Sequence, residues 1–600
     1  MPTFSWFSRI DRPVAQPAWR PRRVRVVQRP QSAEHPAGVT SSVGNALSSV
    51  AKLFHPGAYA GWIERHQARV AALIFLAWMI PGLVGHDPWK PDEGYTFGLV
   101  WHVLQTGDWV VPTLAGEPFV EKPPIFFLTA AATAKLFSPL VAPYDGARLA
   151  CALYIAIACL FTGLASRVMF PPRPVWVAPL LLAGCAGLLL HAHQLVTDNA
   201  LLAGFAIAIY GLARAPGRPV LGGFWLGTGV GLGFLAKGLL EPGVIGVSAA
   251  LLPALYPQWR TRRYVVALAA ALAVALPWLA IWSVALYLRS PALFVEWFWT
   301  NNFGRFFGFA HLGPSAEPGQ YLKLLPWFAW PALLPALWAV GARGWSGLAD
   351  AAIQISTTFY MVMLTVLSLA AEARELYALP LLLPLALLGA DGLARMPAFL
   401  ESAFHRFSIL IFTVSVAAVW VCWLAIDFGA PAFLADRFQR LQPAYSAQVG
   451  PRLWLAATAL TLGWAVAALQ IPRSPYRPAM VWTAGVAAVW GLLATLMIGW
   501  IDVGMSYRGM LTDLQRAVPV GHGCIASRSL GESQRGVFDY FAHIHTERLE
   551  NRRVGDDCDL LLVQGFSGKE RPPGARWRKV WDGARPGDAR EHFWLYRKPR

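Results

Sequence analysis

Apolar stretches of membrane-crossing length recur along most of this chain, and they limit its fold more than any other feature. A bilayer core is crossed by about 20 apolar residues in a helix. A spanning segment must also satisfy its backbone hydrogen bonds internally, which a helix does. Spans are predicted near residues 70–85, 147–168, 175–192, 199–213, 220–236, 242–256, 264–286, 321–342, 351–371, 376–394, 407–426, 452–471 and 480–501, thirteen in all. Composition agrees, with 56% of 600 residues hydrophobic and 14% charged. The expected class is an α-helical polytopic membrane protein. The apolar segment 125–137 is too short to cross comfortably and is predicted to lie at the interface.

The formal net charge of +17 raises nucleic acid as a partner. The excess instead sits in a basic lead and in short loops, as membrane orientation and anionic headgroups require, and no nucleic-acid-binding motif accompanies it. The lead, residues 1–66, carries Arg9, Arg12, Arg20, Arg22, Arg23, Arg25 and Arg29 and reads as a disordered cytoplasmic tail. So long a charged lead argues against a cleaved signal peptide. With the N-terminus inside, the inner loops carry Arg167 and Arg173, Arg214 and Arg218, Arg260 to Arg263, Arg343, Arg395 and Arg406, and Arg473 and Arg477. Each is basic, as the positive-inside rule expects. An odd number of spans then puts the C-terminus on the outer side, periplasmic if the membrane is a bacterial inner membrane.

Residues 67–502 are thus predicted to form the transmembrane domain, with an external first loop over 87–146. Residues 503–600 change character: MSYRGMLTDLQRAVP and GVFDYFAHI have helical spacing, while CIASRSL, CDLLLVQG, RWRKVW and HFWLYRK read as strands. A small α/β domain outside the membrane is expected. Cys524 and Cys558 stand at strand starts in it, where an oxidising compartment would allow a disulfide. Cys151, Cys159, Cys185 and Cys422 lie in apolar segments and read as core.

Charge gathers where it is costly in the stretch His86–Pro124, which holds Asp87, Asp92, Glu93, Asp108, Glu117, Glu121 and Lys122. The predicted topology brings Asp198, Lys237, Glu241, Arg305, Glu372, Arg374, Glu375 and Tyr377 to the same outer face. Ionisable residues at membrane segments mark function or pairing. Singly, each has a structural explanation: Asp92 and Asp198 as helix caps, Lys122 as the ion-pair partner of Glu121, Lys237 at a helix C-terminus. Together they suggest a site. Outside the cytoplasm an activated sugar must arrive on a lipid, and a polyprenyl phosphate is the suitable leaving group. Cations would stabilise the leaving phosphate and a carboxylate would orient or deprotonate the acceptor. Asp92 supplies the carboxylate, Lys122, Arg305 and Arg374 the cations, and Tyr377 a hydrogen bond.

The DE of KPDEGYTF, then TGDWVVP, then EKPPIFFL resemble the first external loop of bacterial lipid A aminoarabinose transferases, part of the wider protein-mannosyltransferase-like group. TDNALLAGF, FLAKGLLEP, WFWTNNFGRF and ELYALPLLLPLALL continue the resemblance in order over about residues 68–395. It implies the GT-C fold and an inverting single displacement from a polyprenyl-phosphate-linked sugar to an envelope acceptor: lipid A, another glycan, a lipid or a protein. It also implies catalysis by Asp92, and donor-phosphate contacts from Lys122, Arg305 and Tyr377, with Arg374 the nearest cation beside them. Asp198, in an acceptor-side or orienting role, and Glu93 are the further catalytic candidates, with Glu121 and Lys237 supporting.

Three departures stand out. Gly94, Tyr95 and Thr96 replace the Arg usual after DE, EARELY replaces SKLPxY, and WTNNFGRF holds no His, with His311 following Arg305. They leave the sugar, the acceptor and a divalent metal open, and no cofactor is assigned. The alternative, a transporter or flippase for a polyprenyl-linked or anionic substrate, would show inverted repeats and midplane charges. The sequence has no visible repeat.

Overall fold

The structure, a computed structural model, describes residues 57–310, 313–443, 445–446, 449–550, 558–588 and 590–599. Residues 1–56, most of the basic lead, lie outside that set. The described chain already contains a helix at Ala60–Arg65, inside the lead assigned to 1–66, and it leads into Gln67–Met79.

Helix is found at each of the thirteen predicted spans. Among the described residues, eight helices are long and apolar enough to cross a bilayer. Gln320–Phe328 and Leu333–Arg343 meet at 101° and make a ninth if counted as one. Pro331 lies in that break and has no N–H with which to continue the helix. The rest are short, as at Gln67–Met79, Asp198–Arg214 and Leu240–Leu255, or interrupted, as at Cys185 between Val177–Gly184 and Ala186–Ala192. Apolar length in sequence does not reveal such breaks, so fewer segments qualify as full crossings than the thirteen expected.

Small residues set the tightest packing. The helix Pro219–Lys237 lies against Arg262–Arg289 so closely that a Cβ on Gly227 would stand 2.3 Å from the Ala271 carbonyl oxygen. In lipid, where apolar association gains little from water, such backbone approach is a principal source of cohesion. The same helix ends at Gly238, whose φ of +73° only glycine adopts easily. There the side-chain oxygen of Asn302 accepts the Leu239 N–H at 3.1 Å, joining the turn to the π-helical segment Glu296–Gly304.

Two short strands, β1 (Thr113–Leu114) and β2 (Glu117–Pro118), form a hairpin in the first loop. The C-terminal lobe holds β3 (Ile525–Arg528), β4 (Glu547–Arg548), β5 (Leu560–Phe566), β6 (Arg578–Gly583) and β7 (Glu591–Arg597), in the order β4-β3-β5-β7-β6. β3 runs parallel to β4 and β5, while β7 is antiparallel to β5 and β6. Helices Arg508–Ala517 and Glu532–Ala542 bury Leu511, Leu514 and Phe538 against Leu560, Phe593 and Leu595. Each predicted strand and helix of this lobe is present. Cys524 and Cys558 are disulfide-bonded, with their Cα atoms 4.8 Å apart.

The lobe is seated directly on the first loop. Helix Glu532–Ala542 crosses helix Asp92–Thr106 at glycines: a Cβ on Gly536 would lie 2.4 Å from the Gly94 carbonyl oxygen. Lys90 pairs with Asp588 at 2.7 Å and Glu591 at 3.2 Å, Arg508 pairs with Asp87, and Arg535 pairs with Glu117 at 2.8 Å.

Candidate active site

Asp92 opens the helix Asp92–Thr106 and is buried. Arg374, from the turn before Glu375–Leu381, grips both of its oxygens: Nη1 donates to Oδ1 at 2.9 Å and Nη2 to Oδ2 at 2.5 Å. Burial alone would push the Asp92 carboxyl up, but the hydrogen bonds and charge of Arg374, with the fields of Lys122 and Lys237, hold it below the ordinary range. The Tyr95 hydroxyl stands 3.4 Å from Asp92 and accepts a hydrogen bond from the Lys122 ammonium at 2.6 Å. Tyr95 therefore links the two residues that the motifs had named separately.

Lys122 is also buried, with Glu121 at 3.8 Å. Burial works against its charge, but Tyr95, Glu121, Asp198 and Asp92 outweigh burial and keep it protonated. Glu121 itself binds Arg305, whose Nε donates to Glu372 at 2.9 Å. Glu372 in turn accepts the Gly313 N–H at 2.7 Å, fixing the loop that carries Arg305. On the opposite wall Lys237 pairs with Asp198 and lies 4.0 Å from the centre of the Tyr377 ring. Asp92, Lys122, Arg305 and Arg374 thus come together, and Glu121, Asp198, Lys237 and Tyr377 complete the ring of charge around them.

Two cavities meet at Glu121 and Arg305. One, about 370 Å³, is polar and is walled by Asp92, Tyr95, Arg374 and, from the C-terminal lobe, Glu532. The other, about 380 Å³, has Lys122, Lys237 and Tyr377 at its polar end and Leu240, Val244, Val247, Phe303, Phe307, Val366 and Leu367 along its length. A charged head and a long apolar tail would fit the second cavity.

Glu93 is placed differently. It is 1% exposed, accepts from Arg148 Nε at 2.8 Å, and takes the Trp89 and Leu195 N–H groups at 3.1 and 3.2 Å. Both its oxygens are engaged in fixing the loop, and it does not line either cavity. Glu241, expected on the outer face, is wholly buried against Gly204 and Gly233, its oxygens without a hydrogen-bond partner among the described residues. Glu375 is exposed. Sequence reasoning missed Tyr95, Arg148, Asn302 and Glu532. Arg148 had a signal, being an arginine inside an apolar segment.

Among the described residues Glu121 is engaged by Arg305 and Lys122 and forms no group of metal donors with a neighbour. His311 lies outside the described residues. The three-donor group found among the described residues is Cys524, Glu547 and Cys558, whose two sulfurs are joined. No step below is routed through a metal.

No family model matches the chain. It is 27% identical over 454 residues to an undecaprenyl phosphate-α-4-amino-4-deoxy-L-arabinose arabinosyl transferase of Pseudomonas fluorescens, covering 71% of this chain and 70% of the relative. It is 28% identical over 459 residues to the enzyme of that name from Pseudomonas savastanoi pv. phaseolicola, covering 72% and 77%. Among solved structures it resembles ArnT from Cupriavidus metallidurans bound to undecaprenyl phosphate, with a TM-score of 0.63 at 15% identity over 89% of this chain and 98% of that one. The fold and site define an integral-membrane glycosyltransferase of the GT-C type. Within that class the chain is similar to the bacterial aminoarabinose transferases. The transporter alternative finds no support in these relatives.

Proposed function

We propose that this enzyme moves a sugar from a polyprenyl-phosphate-linked donor to an envelope acceptor, lipid A or another glycan, lipid or protein, at the outer face of the inner membrane. The observation that carries the reading is the junction of the two cavities at Glu121 and Arg305, with Lys122 and Lys237 at the polar end of the apolar cavity and Asp92 in the other. The isoprenoid lies along Val244, Val247 and Phe307, and its phosphate meets Lys122, Arg305 and the hydroxyl of Tyr377. The sugar passes the junction. Asp92, held ionised and aimed by Arg374, accepts the acceptor's hydroxyl proton as that oxygen attacks the anomeric carbon. The carbon–phosphate oxygen bond breaks on the far side, the anomeric centre inverts, and the cations stabilise the departing phosphate. Asp198 keeps Lys237 oriented. Glu93, through Arg148, positions the loop and does not touch the reaction.

The cytoplasmic N-terminus and periplasmic C-terminus belong to this proposal. The basic inner loops and the Cys524–Cys558 disulfide support them, since disulfides persist in oxidising compartments. The donor sugar is proposed to be of the class for which the relatives are named, an amino-deoxy pentose. The test is transfer from lipid-linked donor in membranes containing the wild-type chain, with mass spectrometry of lipid A, envelope lipids and glycoproteins from cells lacking it. Absence of any transfer by stable wild-type protein overturns the reading.

A further inference from the structure

The polar cavity has a wall that the reaction does not use. Glu532 is the first residue of helix Glu532–Ala542 and brings the C-terminal lobe into the same cavity as Asp92 and Arg374. The cations whose charge reaches it are already engaged: Arg535 by Glu117, Lys122 by Tyr95 and Glu121, and Arg305 by Glu121 and Glu372, while Arg374 in the same cavity is held by Asp92. Glu532 has no hydrogen-bond or ion-pair partner among the described residues, although its surface is open to the cavity.

A free carboxylate in such a cavity is acceptor-only and seeks donors, ideally charged ones. A phosphate or carboxylate on the substrate would be repelled by it and by Asp92. A neutral hydroxyl would supply one hydrogen bond and leave the charge uncompensated. A primary ammonium supplies both charge and three donors. We propose that Glu532 is a specificity residue that binds a protonated amine on the transferred sugar, an assignment resting on the glycosyltransferase reading above. Burial first, then the neighbouring Glu121, raises its carboxyl above the ordinary range, against the fields of Arg535, Lys122 and Arg305.

The experiment compares two polyprenyl-phosphate donors, one carrying a 4-amino-4-deoxy pentose and one the same sugar N-formylated, with the full-length chain and its Glu532→Gln and Glu532→Asp variants. Wild type is expected to favour the amino donor. Glu532→Gln should lower kcat/KM for the amino donor about 10–100-fold, the range for a charged hydrogen bond, and leave the N-formyl donor nearly unchanged. Glu532→Asp should recover part of the preference, and all three proteins should unfold at the same temperature. Equal effects on both donors, or none, overturn the assignment while leaving the enzyme reading intact. Discrimination that follows an amine on the acceptor, seen by exchanging amine-bearing and amine-free acceptors under one donor, also overturns it. If wild type uses neither donor, the amino-deoxy pentose reading falls and takes this assignment with it.

Discussion

Arg374 and Asp92 form a two-pronged pair, with hydrogen bonds of 2.9 and 2.5 Å joining residues 282 positions apart. The pair sets both the aim and the charge of the carboxylate. Asp92→Asn keeps the shape and removes the proton acceptor, so transfer should fall about 10²–10⁴-fold, the usual contribution of a positioned base, with donor binding retained. Normal transfer by this variant would remove Asp92 from the chemistry.

The same pair fixes a pH response. The folded Asp92 carboxyl is held below its ordinary range, so it stays ionised as pH falls toward and through the unfolded value. Its contribution to stability is present above that unfolded value and is lost only as pH falls through the lower, folded one. Arg374→Gln removes the opposing charge and leaves burial to act. The acid limb of the kcat profile should then move to higher pH, whereas a profile that keeps its acid limb would show that another group sets it.

In the proposed reaction Lys122 meets the donor phosphate; it is hydrogen-bonded to Tyr95 and 3.8 Å from Glu121. Lys122→Ala should reduce kcat/KM for the lipid-linked donor by about 10–100-fold, as expected for losing one charge-assisted contact. Tyr95→Phe keeps the ring and deletes the link, and should have a smaller effect. Steady-state kinetics at varied donor concentration separate the two, and unaltered donor dependence in Lys122→Ala would take Lys122 out of the phosphate site.

Glu93 should behave as a structural residue. Removing one member of a buried pair leaves the other uncompensated, at about 3–5 kcal/mol, so Glu93→Ala should lower the unfolding temperature sharply in detergent. Glu93→Gln with Arg148→Met should recover much of that loss. A Glu93→Gln single variant that unfolds normally but is inactive would restore a direct role.

The Cys524–Cys558 bond closes a loop with a sequence separation of 34. By the loop-entropy relation it stabilises the lobe by about 3–4 kcal/mol. Double replacement by serine should destabilise the C-terminal lobe selectively, read by proteolysis. Thiol labelling of intact cells should find these cysteines blocked until reductant is added; free thiols there would place the lobe in a reducing compartment.

Much of this was legible in the sequence, for identifiable reasons. The positions of the helices follow from apolar length, though not their breaks, and the strands of the C-terminal lobe from their alternation. The charged residues of the external loops could be gathered into one group, and Asp92, Lys122, Arg305 and Arg374 do meet around Tyr95 and Glu121. Pairings were not legible. Glu93 and Arg148 are 55 positions apart and meet because the loop folds back on a membrane helix. Tyr95 gave no sign that its hydroxyl would stand between Asp92 and Lys122. Glu532 lies 440 positions after Asp92, and no periodicity joins a soluble helix to a distant loop. The break at Cys185 and the burial of Glu241 likewise depend on neighbours that composition does not name.

Gly536 rests on the backbone of Gly94 with no room for a side chain between them. The helix that bears Glu532 is therefore part of the cavity wall and sits there before any substrate arrives. The cavity is thus shared between two stretches far apart in the sequence, and neither the loop that carries Asp92 nor the lobe that carries Glu532 forms it alone.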